Sequence, residues 1–461
     1  MNYLNFESEA ILNYLVKPID SASIALFRIL FGLVMGWHYI IFIAKNAVYI
    51  QFIFTKYFFS YIDFVKPLPG NGMYYIFYAL ILIAILFSLG CAYHIVAILF
   101  FGLNLYVFLI DKTEYLNHSY LIVLLNFLFI FIPANRLWSI DKFFFGAKWP
   151  DTVPNWTILL LRFQFFIVYF FGGIAKLNYD WLHAHPIKEW LSEISKTANL
   201  PFLEKSKWAP WLIAYGGIFI DLICPILICF KRTFFVGAFI LCVFHCLNSR
   251  LFSIDVFPYL MMVSLALFPR PDWPKLTFYK IKNRLFKSYS TNIINNDLIS
   301  INNNEKSFFT SDLLIVFIGF YVLIQLFLPL RRFLYPGNVS WTEYGHRYSW
   351  SMMLRQKYGN ITMYEINPIT KEIRPIDLYK YLTYRQAVRM STRPDMIIQF
   401  AKDYARSRQL ITGIRPIIKV EAMASLNGRP YQYLIDPNVD LAIQKNPILP
   451  VPWILPLKDK P

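Results

Sequence analysis

Charged residues are scarce in this sequence. They make up 16% of its 461 residues, whereas hydrophobic residues make up 57% and aromatic residues 19%. A soluble domain usually carries about 25% charged residues, so the composition argues against a water-soluble globular protein. Several apolar runs approach the roughly 20 residues that cross a bilayer as a helix. The composition therefore predicts an integral, multi-pass membrane protein with membrane lipid as its surroundings.

Cysteine is also scarce, and its placement excludes two kinds of site. The five cysteines lie in or beside apolar runs, and none forms a CxxC pair. A buried free cysteine usually behaves as a small hydrophobic residue, so we expect neither a disulfide framework nor a zinc site. No His, Cys, Asp and Glu cluster has metal-ligand spacing, so no metal is predicted. The net charge of +17 is dispersed without a nucleic-acid-binding motif, so no nucleic-acid partner is predicted.

The apolar runs predict an all-α polytopic membrane domain of about nine transmembrane helices. Met1–Lys17 is mixed in character and has no small-residue cleavage pattern, so it is not predicted to be a cleaved signal peptide. The spans are predicted near residues 22–44, 74–92, 93–110, 117–133, 156–176, 210–230, 233–249, 253–269 and 312–330.

Loop charge predicts the orientation of these spans. Cations concentrate in Arg270–Ser290, in the loop that follows the fourth span, and at Lys231 and Arg232. All three places follow even-numbered spans and therefore share one side. Positive loops face the cytoplasm, so we expect a cytoplasmic N-terminus, with the ends of odd-numbered spans on the outer side. In a bacterium the membrane would be the inner membrane.

A change of composition divides the chain into two predicted domains. Residues 1–330 form the membrane domain, with a cytoplasmic linker at 270–311 whose segment 291–306 is rich in Asn. Residues 331–461 are mixed polar and basic, with alternating stretches at Ile361–Ile366 and Ile417–Ala422. We predict a small extracytoplasmic α+β domain there, with a helix near 384–408.

Polar clusters at three span ends predict a site at the outer membrane face. They are Lys176 at the end of the fifth span, the segment 111–118 (DKTEYLNH) and the segment 245–249 (HCLNS). The alternative is that these residues cap helices or extend towards water at the interface. Ionisable residues within spans usually face a partner or a cavity. For Arg162 the expected partner is Asp221.

At these clusters the chain resembles the vitamin K-dependent gamma-carboxylase family. The resemblance runs from about residue 20 to the C-terminus and rests on ordered segments. They are SIALFRILFG (23–32), YVFLIDKTEYLNHSYL (106–121), FIVYFFGGIAKLNYDW (166–181), FHCLNSRLFSI (244–254), QLFLP (325–329), YSWSMM (348–353) and DPNVD (436–440).

The resemblance implies an enzyme, a peptidyl-glutamate 4-carboxylase. Its co-substrates would be vitamin K hydroquinone, or a related menaquinol, with O2 and CO2. Oxygenation of the quinol yields a strong base that removes the γ-proton of a peptide glutamate, and the products are γ-carboxyglutamate and vitamin K epoxide. The implied partner is a glutamate-rich peptide or protein. A desolvated pocket suits this chemistry, because water would quench the base.

The resemblance also implies roles for individual residues. Lys176 matches the family's general base, and desolvation helps a lysine to act as a base. Asn117 and His118 match a pair that contacts the quinol, and His118 joins Lys176 as a catalytic residue. The predicted quinol-binding set is completed by residues in other matched stretches, namely His245, Asn248, Arg162, Tyr348 and Trp350.

The sequence departs from the family pattern at several places. His346 stands where animal members have a tyrosine near the vitamin K site, and the cysteine pair that links the outer loop to the C-terminal part is absent. The chain also ends where animal members continue into a long C-terminal half that helps to bind the substrate. Two alternatives therefore stay open. One is quinol oxidation to the epoxide without carboxylation, and the other is a non-enzymatic quinone- or lipid-binding membrane protein.

Overall fold

The computed structural model of the chain describes residues 2–197, 201–252, 254–286 and 311–458, and these are mostly helical. In chain order the helices are α1 Asn2–Val16, α2 Ala22–Ala44, α3 Gly72–Leu89, α4 Tyr93–Ile110, α5 Asn117–Phe131, α6 Ile140–Phe145, α7 Asn155–Lys176, α8 Tyr179–Leu182, α9 His185–Thr197, α10 Phe202–Lys205, α11 Ala209–Cys229, α12 Phe234–Leu251, α13 Phe257–Ser264, α14 Trp273–Phe286, α15 Ser311–Leu330, α16 Val339–Thr342, α17 Tyr384–Ser391 and α18 Pro394–Thr412.

Within the described ranges, seven helices are long and apolar enough to cross a membrane. They are α2, α3, α4, α7, α11, α12 and α15, each close to a predicted span. The predicted fourth and eighth spans correspond to shorter apolar helices, Asn117–Phe131 and Phe257–Leu267. Pro258 lies in the first turn of α13, where a missing N–H is tolerated, and so it begins this helix instead of bending it. A count of nine crossings stays a prediction.

Helix α7 is the central helix of the membrane part. In the most apolar 18-residue stretch of α7, 67% of the residues are buried, whereas the corresponding share in the other six spanning helices is 17–39%. It contacts α1, α5, α11 and α15. A helix that is buried on most sides presents its polar residues to other helices and not to lipid. The polar residues of α7 are therefore candidates for a functional site.

Buried charge in the membrane part is matched by hydrogen bonds, as Arg28 of α2 illustrates. Its guanidinium is fully buried and donates to the carbonyl oxygens of Ala134 (2.8 Å), Ser88 (3.2 Å) and Trp138 (2.5 Å). Gly90 makes room for it, since a Cβ there would lie 2.7 Å from Arg28 Nη1. Arg28 therefore ties the loop after α5 to α2 and α3.

The C-terminal region contains a four-stranded antiparallel sheet. The chain has strands at β1 Pro18–Asp20, β2 Thr152–Pro154, β3 Lys357–Ile366, β4 Ile373–Pro375, β5 Ile417–Leu426 and β6 Gln432–Tyr433. The sheet has the order β4-β3-β5-β6, and β3 pairs with β5 from Lys357↔Leu426 to Ile366↔Ile417. The two predicted alternating stretches lie within β3 and β5. The predicted helix near 384–408 is two helices, α17 and α18, because Arg393 between them has extended backbone geometry.

The stretch predicted as a linker is in part helical. Helix α14 occupies its first part, whereas the Asn-rich segment 291–306 lies outside the described residues. Beyond α15, the sheet and α18 surround a hydrophobic core of their own that includes Trp341, Met363, Phe400 and Ile418. This core is separate from the large core of the membrane helices.

A buried ion pair joins the C-terminal sheet region to the segment that follows α7. Arg429 donates to both carboxylate oxygens of Asp180, at 2.8 and 2.9 Å, and Asn427 Nδ2 donates to Asp180 Oδ2 at 2.6 Å. Burial opposes ionisation of Asp180, but these hydrogen bonds outweigh it and hold the pKa of this carboxyl below its usual range. The pair lies four residues beyond the end of α7 at Lys176, so it fixes the C-terminal region next to that end.

Replacing Arg429 with Met is expected to destabilise the protein by about 3 kcal/mol, because it leaves the Asp180 carboxylate buried without its cation. Since the pKa of Asp180 is lowered by folding, the pair contributes fully above the usual carboxyl pKa of about 3.9 and is lost only at lower pH. Thermal unfolding in detergent at neutral pH measures the change. Arg406→Met, at an exposed position of α18, is the matched control and should unfold like the wild type. Equal unfolding temperatures for both variants would contradict a role of the ion pair in stability.

Candidate active site

One face of α7 carries Tyr169, Gly172 and Lys176. These positions are three and four residues apart, so they lie above one another on the helix surface. Tyr169 is 3% exposed and Lys176 is 7% exposed, although an amine at the end of an apolar helix would normally extend to water. This face therefore directs a phenol and an amine into the protein interior.

Lys176 is paired with Asp221 of α11. Its Nζ donates to Asp221 Oδ2 and lies 3.4 Å from the carbonyl oxygen of Gly172. The indole ring of Trp181 covers the amine, with its centroid 5.3 Å from Nζ. Both partners are buried, and Asp221 is 4% exposed. A carboxylate that accepts a hydrogen bond from a buried amine restricts where the amine can lie, so Asp221 fixes the position of the Lys176 amine.

The predicted pair of Arg162 with Asp221 is therefore not formed. Arg162 Nε donates to the carbonyl of Leu267 at 2.7 Å, and Nη2 donates to the carbonyl of Pro269 at 2.8 Å. Arg162 lies 14 residues before Lys176 in the same helix, which is roughly 21 Å along its axis. The structure thus places Arg162 at the far end of α7, away from Lys176.

Gly172 allows the segment after α15 to approach the Lys176 pair. A Cβ at Gly172 would lie 3.3 Å from Asp221 Oδ2, 3.4 Å from Met352 Cε and 3.9 Å from the carbonyl oxygen of Trp350. These distances leave no spare room for a larger side chain. Segment 348–353, the YSWSMM stretch, consequently packs against the same face of α7 that carries the amine.

His245 of α12 joins the α7 face through Tyr169. The Tyr169 hydroxyl and His245 Nε2 are 2.6 Å apart, and His245 is 1% exposed. The ring of Phe257 lies 6.1 Å from that of His245 and 6.4 Å from that of His118. The Nδ1 atom of His245 is buried and makes no hydrogen bond to any part of the chain that the structure describes. His245 and His118 thus both lie close to the ring of Phe257.

Asn117 lies in a second cluster, with Tyr348 and Trp350. Asn117 Nδ2 donates to the Ser351 carbonyl at 3.4 Å, and the Tyr115 hydroxyl donates to Asn117 Oδ1 at 3.2 Å. That hydroxyl also accepts from the backbone N–H of Tyr348 at 2.7 Å. Asn117 therefore anchors the YSWSMM segment instead of only capping its own helix.

The YSWSMM segment has unusual backbone geometry. Tyr348 and Trp350 have φ angles of 64° and 54°, in the left-handed region that bulky residues rarely adopt. Trp350 is fully buried, and its Nε1 has no hydrogen-bond partner among the described residues. Such geometry persists where the surroundings enforce it, and it concentrates at functional sites. The packing against Tyr120, whose ring lies 4.9 Å from that of Tyr348 and 5.1 Å from that of Trp350, helps to enforce it.

His118 opens onto a cavity of about 990 Å³. Much of the wall is apolar and aromatic, including Phe52, Phe77 and Phe108, whereas polar residues collect elsewhere on it. The polar group consists of His38, Glu114, His118, Arg250, Asp255 and Arg385. A volume of this order suits a small organic ligand, and the mixed wall suits one that has an apolar tail and a polar head.

The structure thus brings most of the predicted site residues into two adjoining groups. Lys176 lies with Asp221, while Tyr348 and Trp350 connect Asn117 to the same side of α7. Asn248 is half-buried in the last turn of α12, and its carbonyl accepts from the backbone N–H of Phe252 at 3.0 Å. The sequence reasoning assigned no site role to Asp221, His38 or Asp255. An ionisable side chain within an apolar run indicates that the residue needs a partner. It does not indicate which residue that partner is.

Two family models match the chain. The HTTM domain matches residues 16–273, which is more than half of the sequence, and the lumenal domain of vitamin K-dependent gamma-carboxylase matches residues 310–460. No solved structure matches the chain. The fold and the first match define an HTTM-domain membrane protein. With the second match, the chain belongs to the vitamin K-dependent gamma-carboxylase family. Membership indicates a carboxylase-like function with vitamin K as cofactor.

Replacing Asp221 with Asn is expected to disturb Lys176 directly, because it removes the carboxylate that holds the buried amine. A loss of about 3 kcal/mol in stability follows from breaking such a pair. Thermal unfolding in detergent at neutral pH measures the change.

The matched control is Asp272→Asn, which breaks an ion pair with Arg270 whose side chain is 67% exposed. Such a pair contributes about 0.2–1 kcal/mol, so this variant should behave like the wild type. A fully stable Asp221→Asn protein would show that Asp221 does not position Lys176.

Proposed function

We propose that this protein carboxylates peptide glutamate to γ-carboxyglutamate, using O2, CO2 and a reduced vitamin K or menaquinol that becomes the epoxide. The observation that carries the proposal is the buried amine of Lys176, held by Asp221 on the central helix, in a chain of the gamma-carboxylase family. Residues 1–330 would form the catalytic membrane domain, and residues 331–461 the domain that meets the substrate.

The residues present fit a quinol. A prenylated quinol has an apolar tail and two hydroxyl groups at its head, and the cavity at His118 offers aromatic walls with polar residues among them. The buried Nε1 of Trp350 and Nδ1 of His245 make no hydrogen bond within the described residues, and buried polar atoms of this kind normally have a partner. Asn117, His118, His245, Tyr348 and Trp350 are the residues that we propose contact the quinol.

Lys176 is proposed as the general base that takes a proton from a quinol hydroxyl. Asp221 stabilises the ammonium ion that the transfer creates, because its carboxylate already contacts Nζ. Trp181 excludes water from the amine, since its buried indole covers Nζ. The bound quinol, once oxygenated, supplies the strong base for the glutamyl proton. We leave Arg162 out of the proposed quinol site because of its distance along α7.

The orientation is part of the proposal. Loop charge favours a cytoplasmic N-terminus, which would put the end of α7, the start of α5 and the C-terminal region on the extracytoplasmic side. The close contact of Asp180 with Arg429 supports a common side for the end of α7 and the sheet region. A peptide substrate would then approach from outside the cytoplasm.

Replacing Lys176 with Ala is expected to abolish both products, because no base remains to deprotonate the quinol. The assay supplies detergent-solubilised protein with reduced vitamin K or menaquinol, O2, labelled CO2 and a glutamate-rich peptide, and follows epoxide and peptide-bound label. Losses of at least a hundredfold are expected for a general base. The control is Lys188→Ala, an exposed lysine stacked on Trp211, which should retain activity.

The products separate the alternatives. Epoxide without peptide-bound label in the wild type would favour quinol oxidation alone. Wild-type protein that is folded yet forms neither product would favour a non-enzymatic quinone- or lipid-binding role.

Arg385 is the arginine that we propose binds the glutamyl carboxylate. Five arginines, at 385, 389, 393, 406 and 408, lie in the stretch predicted as one helix, and they are divided between α17, α18 and the turn between them. Of these, Arg385 lines the cavity, where it contacts Glu114 at 2.6 Å. An arginine that already holds one glutamate carboxylate at a cavity wall presents the chemistry needed to hold another.

Arg385→Gln is therefore expected to raise the KM for a glutamate-rich peptide about tenfold, from the loss of a charge-assisted hydrogen bond. The KM for the quinol should stay unchanged, and steady-state kinetics with each substrate varied in turn measure both values. Arg406→Gln, at an exposed position on α18, is the control. An unchanged peptide KM in Arg385→Gln would exclude Arg385 from peptide binding.

A further inference from the structure

A second acid–base pair lies in the wall of the cavity, apart from Lys176. His38 projects from α2 and Asp255 from the turn between α12 and α13, and both line the cavity together with His118. His38 Nδ1 lies 3.5 Å from Asp255 Oδ1. The side chain of His38 is 12% exposed, and that of Asp255 is 36% exposed. The imidazole is therefore largely covered by protein, whereas the carboxylate is exposed, and both line the cavity.

The orientation of the imidazole decides what the pair can do. Because Nδ1 faces the carboxylate, Nε2 is the ring nitrogen left for a ligand. The Nδ1 atom makes no hydrogen bond within the described residues, so the carboxylate acts on the ring through its charge, which stabilises the imidazolium that forms when Nε2 takes a proton. A histidine with an aspartate behind it is thus built to accept a proton from a hydroxyl group.

The backbone of Asp255 adopts a conformation that is less favourable for a residue with a side chain than for glycine. Its φ is 58°, in the region that glycine adopts freely and that other residues adopt less often. Glycine would satisfy this turn without strain, yet the chain places an ionisable residue there. Strained residues of this kind concentrate at functional sites.

The surroundings favour proton transfer and not metal binding. Across the described residues, no group of three or more His, Cys, Asp or Glu side chains is arranged to hold a metal ion. His118 shares the wall, and Lys45, Glu114, Arg250 and Arg385 are the charged side chains that line the same cavity. The proposed function gives the His38–Asp255 pair no role, because Lys176 is the base in that reaction.

The proposed reaction removes two protons from the quinol, and one oxygen atom of O2 enters the epoxide while the other leaves as water. A hydroquinone has two hydroxyl groups, whereas its epoxide has two carbonyl groups in their place, so both hydroxyl protons leave during the reaction. Lys176 can take one of them. O2, which the proposed function already includes, is the oxidant.

We propose that His38 and Asp255 form a second proton-accepting pair that binds a hydroxyl group of an aromatic alcohol, here a hydroquinone, and takes its proton at His38 Nε2. The O–H bond breaks, the Nε2–H bond forms, and the electron pair stays on the ligand oxygen. Asp255 stabilises the resulting imidazolium. The proposal deepens the proposed function and rests on it for the identity of the ligand.

Ligand binding tests the pair without requiring turnover. A prenylated naphthol carries a hydroxyl group at the matching place, and its methyl ether lacks the proton but keeps the shape. Trp37 and Trp190 line the cavity, so quenching of tryptophan fluorescence reports the affinity of the full chain for each compound. The wild type should bind the naphthol about tenfold more tightly than the methyl ether, because one hydrogen bond to a charged group has an effect of this size.

His38→Gln and Asp255→Asn are expected to lose this preference while their affinity for the ether stays within about twofold of wild type. Asp255→Gly removes the carboxylate and relieves the backbone, so it should lose the preference too and also fold well. His94→Gln, at an exposed position of α4, is the control and should keep the preference. A naphthol preference that persists in His38→Gln or in Asp255→Gly would overturn the proposal, as would a wild type that has none.

Turnover distinguishes this proposal from the proposed function. Lys176→Ala should keep the naphthol preference although it makes no epoxide, because the two bases are separate. If the wild type makes epoxide, His38→Gln should slow it by about a hundredfold, and an unchanged rate would overturn the proposal. If the wild type makes no epoxide, the proposed function fails, and the binding comparison alone decides whether the pair recognises a hydroxyl group.

Discussion

A charge buried among membrane helices must be compensated locally, because neither lipid nor a packed apolar core can solvate it. The pair of Lys176 with Asp221 is where this constraint shapes the molecule most. The pair fixes the axial position of α7 relative to α11 and the rotation of each helix about its own axis. It also keeps inside the protein an amine that would otherwise extend to the membrane interface. Tyr169 and His245 make a second polar contact two turns earlier on the same face. The central position of α7 follows from having both contacts to satisfy.

The C-terminal region extends this arrangement beyond the membrane helices. Its ion pair from Arg429 to Asp180 holds the sheet region beside the end of α7, and the absence of a Cβ at Gly172 lets Trp350 and Met352 pack over the Lys176 pair. The strained residues Tyr348 and Trp350 are kept in place by Tyr115, Tyr120 and Asn117. Residues that are far apart in sequence therefore enclose one amine, and water exclusion at that amine is a property of the whole chain.

The polar residues of the membrane part have different roles although they look alike in sequence. Arg28 and Arg162 each donate to backbone carbonyls and hold loops in place. Lys176 and Asp221 hold each other, and His38 and Asp255 face a cavity. Ionisable side chains within apolar runs are expensive in every case, but only the last two pairs are placed where a ligand or a proton could use them.

The sequence by itself determined the lipid environment, most of the spanning helices and the two central strands of the C-terminal sheet. These depend on long apolar runs and on alternation, which are local patterns. It also determined the family, through ordered segments such as 106–121 and 166–181, and with it the prediction that Lys176, Asn117 and His118 belong to one site. The division between α17 and α18 also has a local signal, since Arg393 precedes Pro394 and a residue before proline favours extended geometry. The lengths of α5 and α13 were decided by chain geometry that no local pattern specifies.

Only the tertiary structure decided the partners. Arg162 and Lys176 were both plausible cations for Asp221, and the choice depends on how α11 packs along α7, since Asp221 lies at the height of Lys176 whereas Arg162 is about 21 Å away along the helix. The same holds for Asp180 with Arg429 and for His38 with Asp255, which are separated by more than two hundred residues in the chain. Sequence shows that a buried charge needs a partner, but the identity of that partner depends on how the helices are packed and rotated, which is a long-range property of the fold.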